Sequence, residues 1–150
     1  MTKAVLLDTS VLIHDPTSMT SFEDDTEVLI PIYVIMELDV LKDTPKREKS
    51  HVAHLARQAS NLILELQPQG KVKVVSHDGE ISIRALDRAN QIRYVDLLIL
   101  QTAIHLKEDY DLTLVSRDIN LRIICESVGV KSDDYTSDTS TETLSGIGLK

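Results

Sequence analysis

Four acidic residues stand at or just beyond short apolar runs. Asp8 opens Asp8-Thr9-Ser10 after Leu6-Leu7, and Asp118 closes Ser116-Arg117-Asp118 after Leu114-Val115. Glu37 lies within Val34-Ile35-Met36-Glu37-Leu38-Asp39, and Asp96 within Tyr94-Val95-Asp96-Leu97-Leu98. Carboxylates brought together on one edge repel, and each raises the pKa of the others unless cations sit between them. Mg²⁺ or Mn²⁺ is the natural occupant, because these hard ions take carboxylate oxygens and keep several waters. Such an ion activates a bound water, so the site needs no Ser, His or Cys nucleophile. Each residue also has an ordinary reading. Asp96 and Asp118 stand where helix N-caps belong, a role worth ~1 kcal/mol, Asp8 suits a turn, and Glu37 a solvated helix face. Their joint placement is what favours chemistry.

The elements that must position these groups follow from hydrophobic pattern. Ala4–Leu7, Val28–Ile32, Val72–Val75 and Leu112–Val115 are near-continuous apolar runs, the mark of parallel strands buried on both faces. Helical periodicity covers 34–42, 48–66, 95–107 and 119–128, the last ending before Gly129, a suitable C′ residue. Asp15-Pro16 marks a short helix start. Strands alternating with helices predict a three-layer α/β/α sandwich around a central parallel sheet. In such sheets functional groups gather beyond the carboxyl ends of the strands, where the four acids fall. The domain is expected over 1–131, with the polar, Ser/Thr-rich residues 132–150 as a tail or linker.

Composition narrows the function classes. The 150 residues suffice for one core, and no apolar run approaches the ~18 residues of a membrane span. The N-terminal apolar run has only four residues before Asp8, too short for a secretory signal, and the lone Cys125 allows no internal disulfide. A cytoplasmic location is the expectation. With 16 Lys+Arg against 24 Asp+Glu, no Trp and one Phe, the chain is neither a basic duplex binder nor a stacking single-strand binder. A nucleic-acid substrate would need the charge offset by divalent cations and a local basic patch, for which Lys46, Arg47 and Lys49 are the candidates.

Asp8-Thr9-Ser10-Val11-Leu12-Ile13, Glu37-Leu38-Asp39, Asp96 in its helix and Ser116-Arg117-Asp118-Ile119-Asn120 resemble the four motif blocks of PIN-domain ribonucleases, in order, over about residues 1–135. More narrowly, His14-Asp15-Pro16, Lys42, Leu121-Arg122 and Ser132-Asp133-Asp134-Tyr135 resemble the N-terminal PIN domain of PhoH-like proteins, which a P-loop ATPase follows. The resemblance implies that Asp8, Glu37, Asp96 and Asp118 bind Mg²⁺ or Mn²⁺, that Ser10 and Ser116 support them, and that the reaction is hydrolysis of single-stranded RNA. It also implies a tendency to form homodimers and, if the chain is cut from a longer protein, a PhoH-like ATPase beyond it. Ser10 departs from the Asn often found there, and Leu97-Leu98 replace residues commonly polar in the PhoH-linked group.

Rival readings have weaker support. A haloacid-dehalogenase phosphatase needs Asp-x-Asp where Asp8-Thr9-Ser10 stands, and a phospho-receiver needs an acidic pair after the first strand. His51 and His54 lack an acidic or Cys partner at ligand spacing, and His77-Asp78-Gly79 reads as a turn. A noncatalytic module on the same fold remains the alternative to an enzyme.

Overall fold

The chain opens with β1 (Thr2–Leu7), whose last four residues are buried. Asp8 ends the strand in an extended conformation, and its side chain accepts the Ser10 N–H, which caps α1 (Thr9–His14). Asp15 repeats the device on the next turn, a 3-10 segment at Pro16–Thr20 with Pro at its start. After β2 (Glu27–Pro31), Pro31 holds φ at −61° and leads into α2 (Ile32–Leu41). The remaining elements are α3 (Val52–Leu66), β3 (Lys73–Val75), α4 (Ile92–Leu106), β4 (Tyr110–Val115), α5 (Ile119–Ser127) and β5 (Lys131–Asp133). This computed structural model describes residues 1–45, 51–76 and 92–135, excepting the side chains of 92–94.

The five strands pair in parallel, in the order β3-β2-β1-β4-β5. Direction along the sheet therefore reverses at β1 and β4, and right-handed crossovers on the two sides of that reversal cover opposite faces. The fold is the expected α/β sandwich. Leu6, Leu7, Leu29, Ile30 and Leu114 are fully buried, as strands covered on both faces require. On α3 the buried face is Ala53, Ala56, Ala59, Ile63 and Leu66, and its small residues let the helix approach α1 and α2 closely. Among the described residues no helix is long and apolar enough to cross a membrane.

Three features differ from expectation. The six residues of α1 carry no amphipathic repeat, and the Asp8 cap together with burial of Thr9, Val11 and Leu12 makes the helix. α4 begins at Ile92, so Asp96 lies in its second turn and is not a cap. The boundary placed after residue 131 cuts through β5, which pairs Lys131 with Thr113 and Asp133 with Val115. Beyond it, Tyr135 is only 2% exposed and belongs to the core cluster. Low apolar content concealed this because a three-residue edge strand needs backbone pairing more than side-chain burial. Residues 136–150 lie outside the described set.

Candidate functional site

β1 and β4 end flush, with Leu7 opposite Val115, and the Asp8 N–H donates to Val115 O at 3.2 Å. The residues that follow the two strands are thereby held side by side. Asp8 is 5% exposed, and Ser116 is fully buried. Asp8 Oδ1 accepts the Ser10 N–H at 2.9 Å, while Oδ2 accepts the Ser10 hydroxyl at 3.0 Å and the Ser116 hydroxyl. Each hydroxyl in turn accepts a backbone N–H from the turn after β4: Arg117 N donates to Ser10 Oγ at 3.0 Å, and Asp118 N to Ser116 Oγ at 2.9 Å. Two serines thus tie the Asp8 carboxylate to the backbone that carries Asp118. Burial pushes the Asp8 carboxyl up, the Ser116 and Ser10 donors pull it down, and the neighbouring Asp118 charge raises it again.

Asp118 does cap α5, accepting Asn120 N at 2.9 Å and Leu121 N at 3.3 Å, both on Oδ1. Its Oδ2 makes no hydrogen bond within the described residues, so capping leaves one oxygen for a ligand. Glu37 and Asp96 come from α2 and α4, which pack together. Burial raises the Glu37 carboxyl, the Thr9 hydroxyl lowers it, and the Asp8 charge raises it. Thr9 Oγ1 itself is buried without a hydrogen bond of normal geometry. Asp96 is pushed up to about 6, by burial first and then by Asp8, Asp118 and Glu37. The four carboxylates therefore share one electrostatic neighbourhood beyond the carboxyl ends of β1 and β4.

The donor set is all carboxylate oxygen, which suits Mg²⁺ or Mn²⁺ and not a thiolate-seeking metal. Asp96 supplies a further sign of fit, since its raised pKa comes in part from three like charges that a cation would offset. Among the described residues, no three His, Cys, Asp or Glu side chains stand close enough to hold one ion between them. The arrangement brings the carboxylates within electrostatic reach of one another and stops short of a closed ligand cage.

Lys46, Arg47 and Lys49, expected as a phosphate grip, lie outside the described residues, as does His77-Asp78-Gly79. His51 and His54 are both exposed. Cys125 is fully buried and its thiol is pushed up to about 11, so it is unreactive. A cleft of about 450 Å³, lined by residues including Phe22, Glu23, Glu27 and Lys71, lies at the amino ends of β2 and β3, the opposite edge from the carboxylates. Sequence reasoning missed Thr9, Arg117 and Tyr135. For Tyr135 the available signal was an aromatic ring in an otherwise acidic, polar stretch.

Residues 5–136 match the family model described as the PIN domain. The chain belongs to the PIN-domain family. Among curated relatives, this PIN domain is 33% identical over 148 residues to protein PhoH2 of Thermobispora bispora, covering 89% of this chain and 32% of that protein. It is 30% identical over 155 residues to protein PhoH2 of Bacillus subtilis, covering 92% and 34%. The chain thus spans about a third of the length of these relatives. A domain of a functionally unknown protein from Methanocaldococcus jannaschii shares the fold, with a TM-score of 0.61, 18% identity, and coverage of 90% of this PIN domain and 92% of that chain.

Proposed function

We propose that this PIN domain is a metal-dependent ribonuclease that hydrolyses phosphodiester bonds of single-stranded RNA. One observation carries the reading: Asp96, half-buried in the second turn of α4, is pushed up to about 6 by burial and by Asp8, Asp118 and Glu37 together. A structural role gives no reason to gather four like charges, whereas a cation site requires them. Asp8, Glu37, Asp96 and Asp118 would hold Mg²⁺ or Mn²⁺. When bound, the ion lowers the pKa of a water and stabilises the leaving oxygen of an in-line displacement.

The chain's own groups then have separable tasks. Ser10 and Ser116 orient Asp8 by donating to Oδ2, which leaves Oδ1, with a single hydrogen bond, as the better ligand oxygen. Asp118 presents Oδ2 while Oδ1 stays on the helix terminus. Asp96 would bind as a carboxylate, since the cation offsets the three like charges that raise it in the metal-free protein. Lys46, Arg47 and Lys49 remain proposed phosphate contacts on their sequence alone.

The test is incubation of purified protein with end-labelled single-stranded RNA in Mn²⁺ and in chelator, beside Asp8→Asn and Asp118→Asn. Cleavage by wild type in Mn²⁺ alone, lost in both variants with far-UV circular dichroism unchanged, is the expected result. Wild-type rates in either variant would remove the assignment.

A further inference from the structure

Arg117 lies between two residues of the carboxylate site, Ser116 and Asp118, and its side chain is exposed. Among the described residues, Lys42, Lys73, Arg122 and Lys131 pair with acids, at Asp39, Glu27, Asp134 and Asp111. Arg117 has no such partner among them. Its guanidinium is nevertheless fixed, because Nη1 donates to the Tyr135 carbonyl at 2.8 Å. That carbonyl sits on a rigid support. The Tyr135 hydroxyl donates to Asp15 Oδ2 at 3.1 Å and lies 3.0 Å from Ser21 Oγ, and its ring centroid is 6.4 Å from that of Phe22. Asp15 is held in turn by Thr17, whose N–H and hydroxyl donate to it at 3.0 and 2.6 Å. At the other end of the residue, the Arg117 N–H donates to Ser10 Oγ, a direct partner of Asp8.

An exposed arginine ordinarily loses rotamer entropy when it grips an anion, and here one of its five donors is already anchored. Four donors stay available in a planar fork that matches a phosphate. Position narrows the ligand further. Tyr135 follows β5 and Glu37 follows β2, so the anchor and Glu37 lie toward opposite ends of the strand order, with Asp8 and Asp118 between them. Arg117 therefore stands on the β5 flank of the site.

We propose that Arg117, held by the Tyr135 carbonyl, binds the RNA backbone phosphate next to the scissile bond on the β5 side. This inference rests on the ribonuclease reading for its substrate, yet its test is separable from turnover. Binding of a short fluorescein-labelled oligouridylate would be followed by anisotropy in Ca²⁺ over a range of KCl, for wild type, Arg117→Gln and Arg117→Lys. Arg117→Gln loses the charge, and its shorter side chain also gives up the Tyr135 carbonyl. It should bind several-fold more weakly and flatten the salt dependence by a slope of about 0.7, one phosphate contact on a single strand. Melting temperature should fall by no more than roughly 3 °C, the loss of one exposed hydrogen bond, and its shift with Mn²⁺ should match wild type. Arg117→Lys should restore the slope without the full affinity, because an ammonium cannot hold the carbonyl and the phosphate with one planar fork. Wild-type affinity and slope in Arg117→Gln would overturn the proposal, as would absence of oligouridylate binding by the wild-type protein. A wild type that binds with an Arg117-dependent slope but does not cleave in Mn²⁺ would remove the nuclease reading and keep Arg117 as a phosphate contact.

Discussion

At Asp96 no hydrogen bond or cation among the described residues offsets the forces that raise its carboxyl to about 6 from an ordinary 3.8. The folded-state pKa stands above that of the unfolded chain, so the folded protein holds the extra proton in the window between those values. Stability from this group is complete below the window and is lost as pH rises through it. Replacing Asp96 by Asn should therefore raise the melting temperature in chelator at about pH 7 and leave it unchanged at about pH 4. After discounting for partial exposure the gain is about 1 kcal/mol, or roughly 3 °C for a domain of this size. Thermal melts at the two pH values decide the matter, and a variant less stable at both would make Asp96 an ordinary structural residue. Asp118 carries the opposite signature. Its Oδ1 caps α5, so Asp118→Ala should lose ~1 kcal/mol while Asp118→Asn, a comparable cap, should lose almost none. Denaturant melts of the pair separate capping from charge, and equal losses would deny the cap.

At the level of elements, β5 does more than its three residues suggest. Asp133 O accepts the Ser116 N–H at 3.0 Å, so the strand fixes the turn that carries Asp118, and Tyr135 then bridges to Asp15. Ending the chain after Lys131 should lower the melting temperature by well over ~5 °C, whereas a chain ending after Thr136 keeps Tyr135 and serves as the control. Calorimetry of the two truncations tests this, and equal melting temperatures would mean that the strand contributes nothing. This element was hidden in the sequence because Lys131-Ser132-Asp133 is polar and joins through its backbone. The apolar cores of β1, β2 and β4 were legible, since strands covered on both faces must be continuous in hydrophobicity. Asp8 and Asp118 were legible for the same reason, as residues that end such runs. Asp96 was legible as a site carboxylate but was placed at the opening of its helix, because the helix start at Ile92 precedes the apolar periodicity that defined it. Arg117 and Tyr135 stayed hidden because their importance lies in a contact that only the paired β4 and β5 create.

For the whole molecule, a net charge of −8 sets the terms on which cations and anionic ligands approach. If Mn²⁺ binds the folded state alone, stability should rise by about 2.7 kcal/mol at a hundred times its dissociation constant. That gain should shrink in Asp8→Asn, and melts across a Mn²⁺ titration at matched ionic strength measure it. Equal gains in both proteins would sink the clustered site. The sheet order has a different kind of consequence. β1 is made before the other described strands, yet one of its two neighbours is β4, and the Ser116 hydroxyl that orients Asp8 lies 108 residues further along. A growing chain can pair β1 with β2 early, but its second edge stays open until Tyr110–Val115 has left the ribosome. Until then the nascent polypeptide presents an unpaired apolar edge at Ala4–Leu7, a surface for chaperones or for other unfinished chains. Asp8 and Asp118 meet only when that edge closes, so the carboxylate site cannot assemble until β4 has been made.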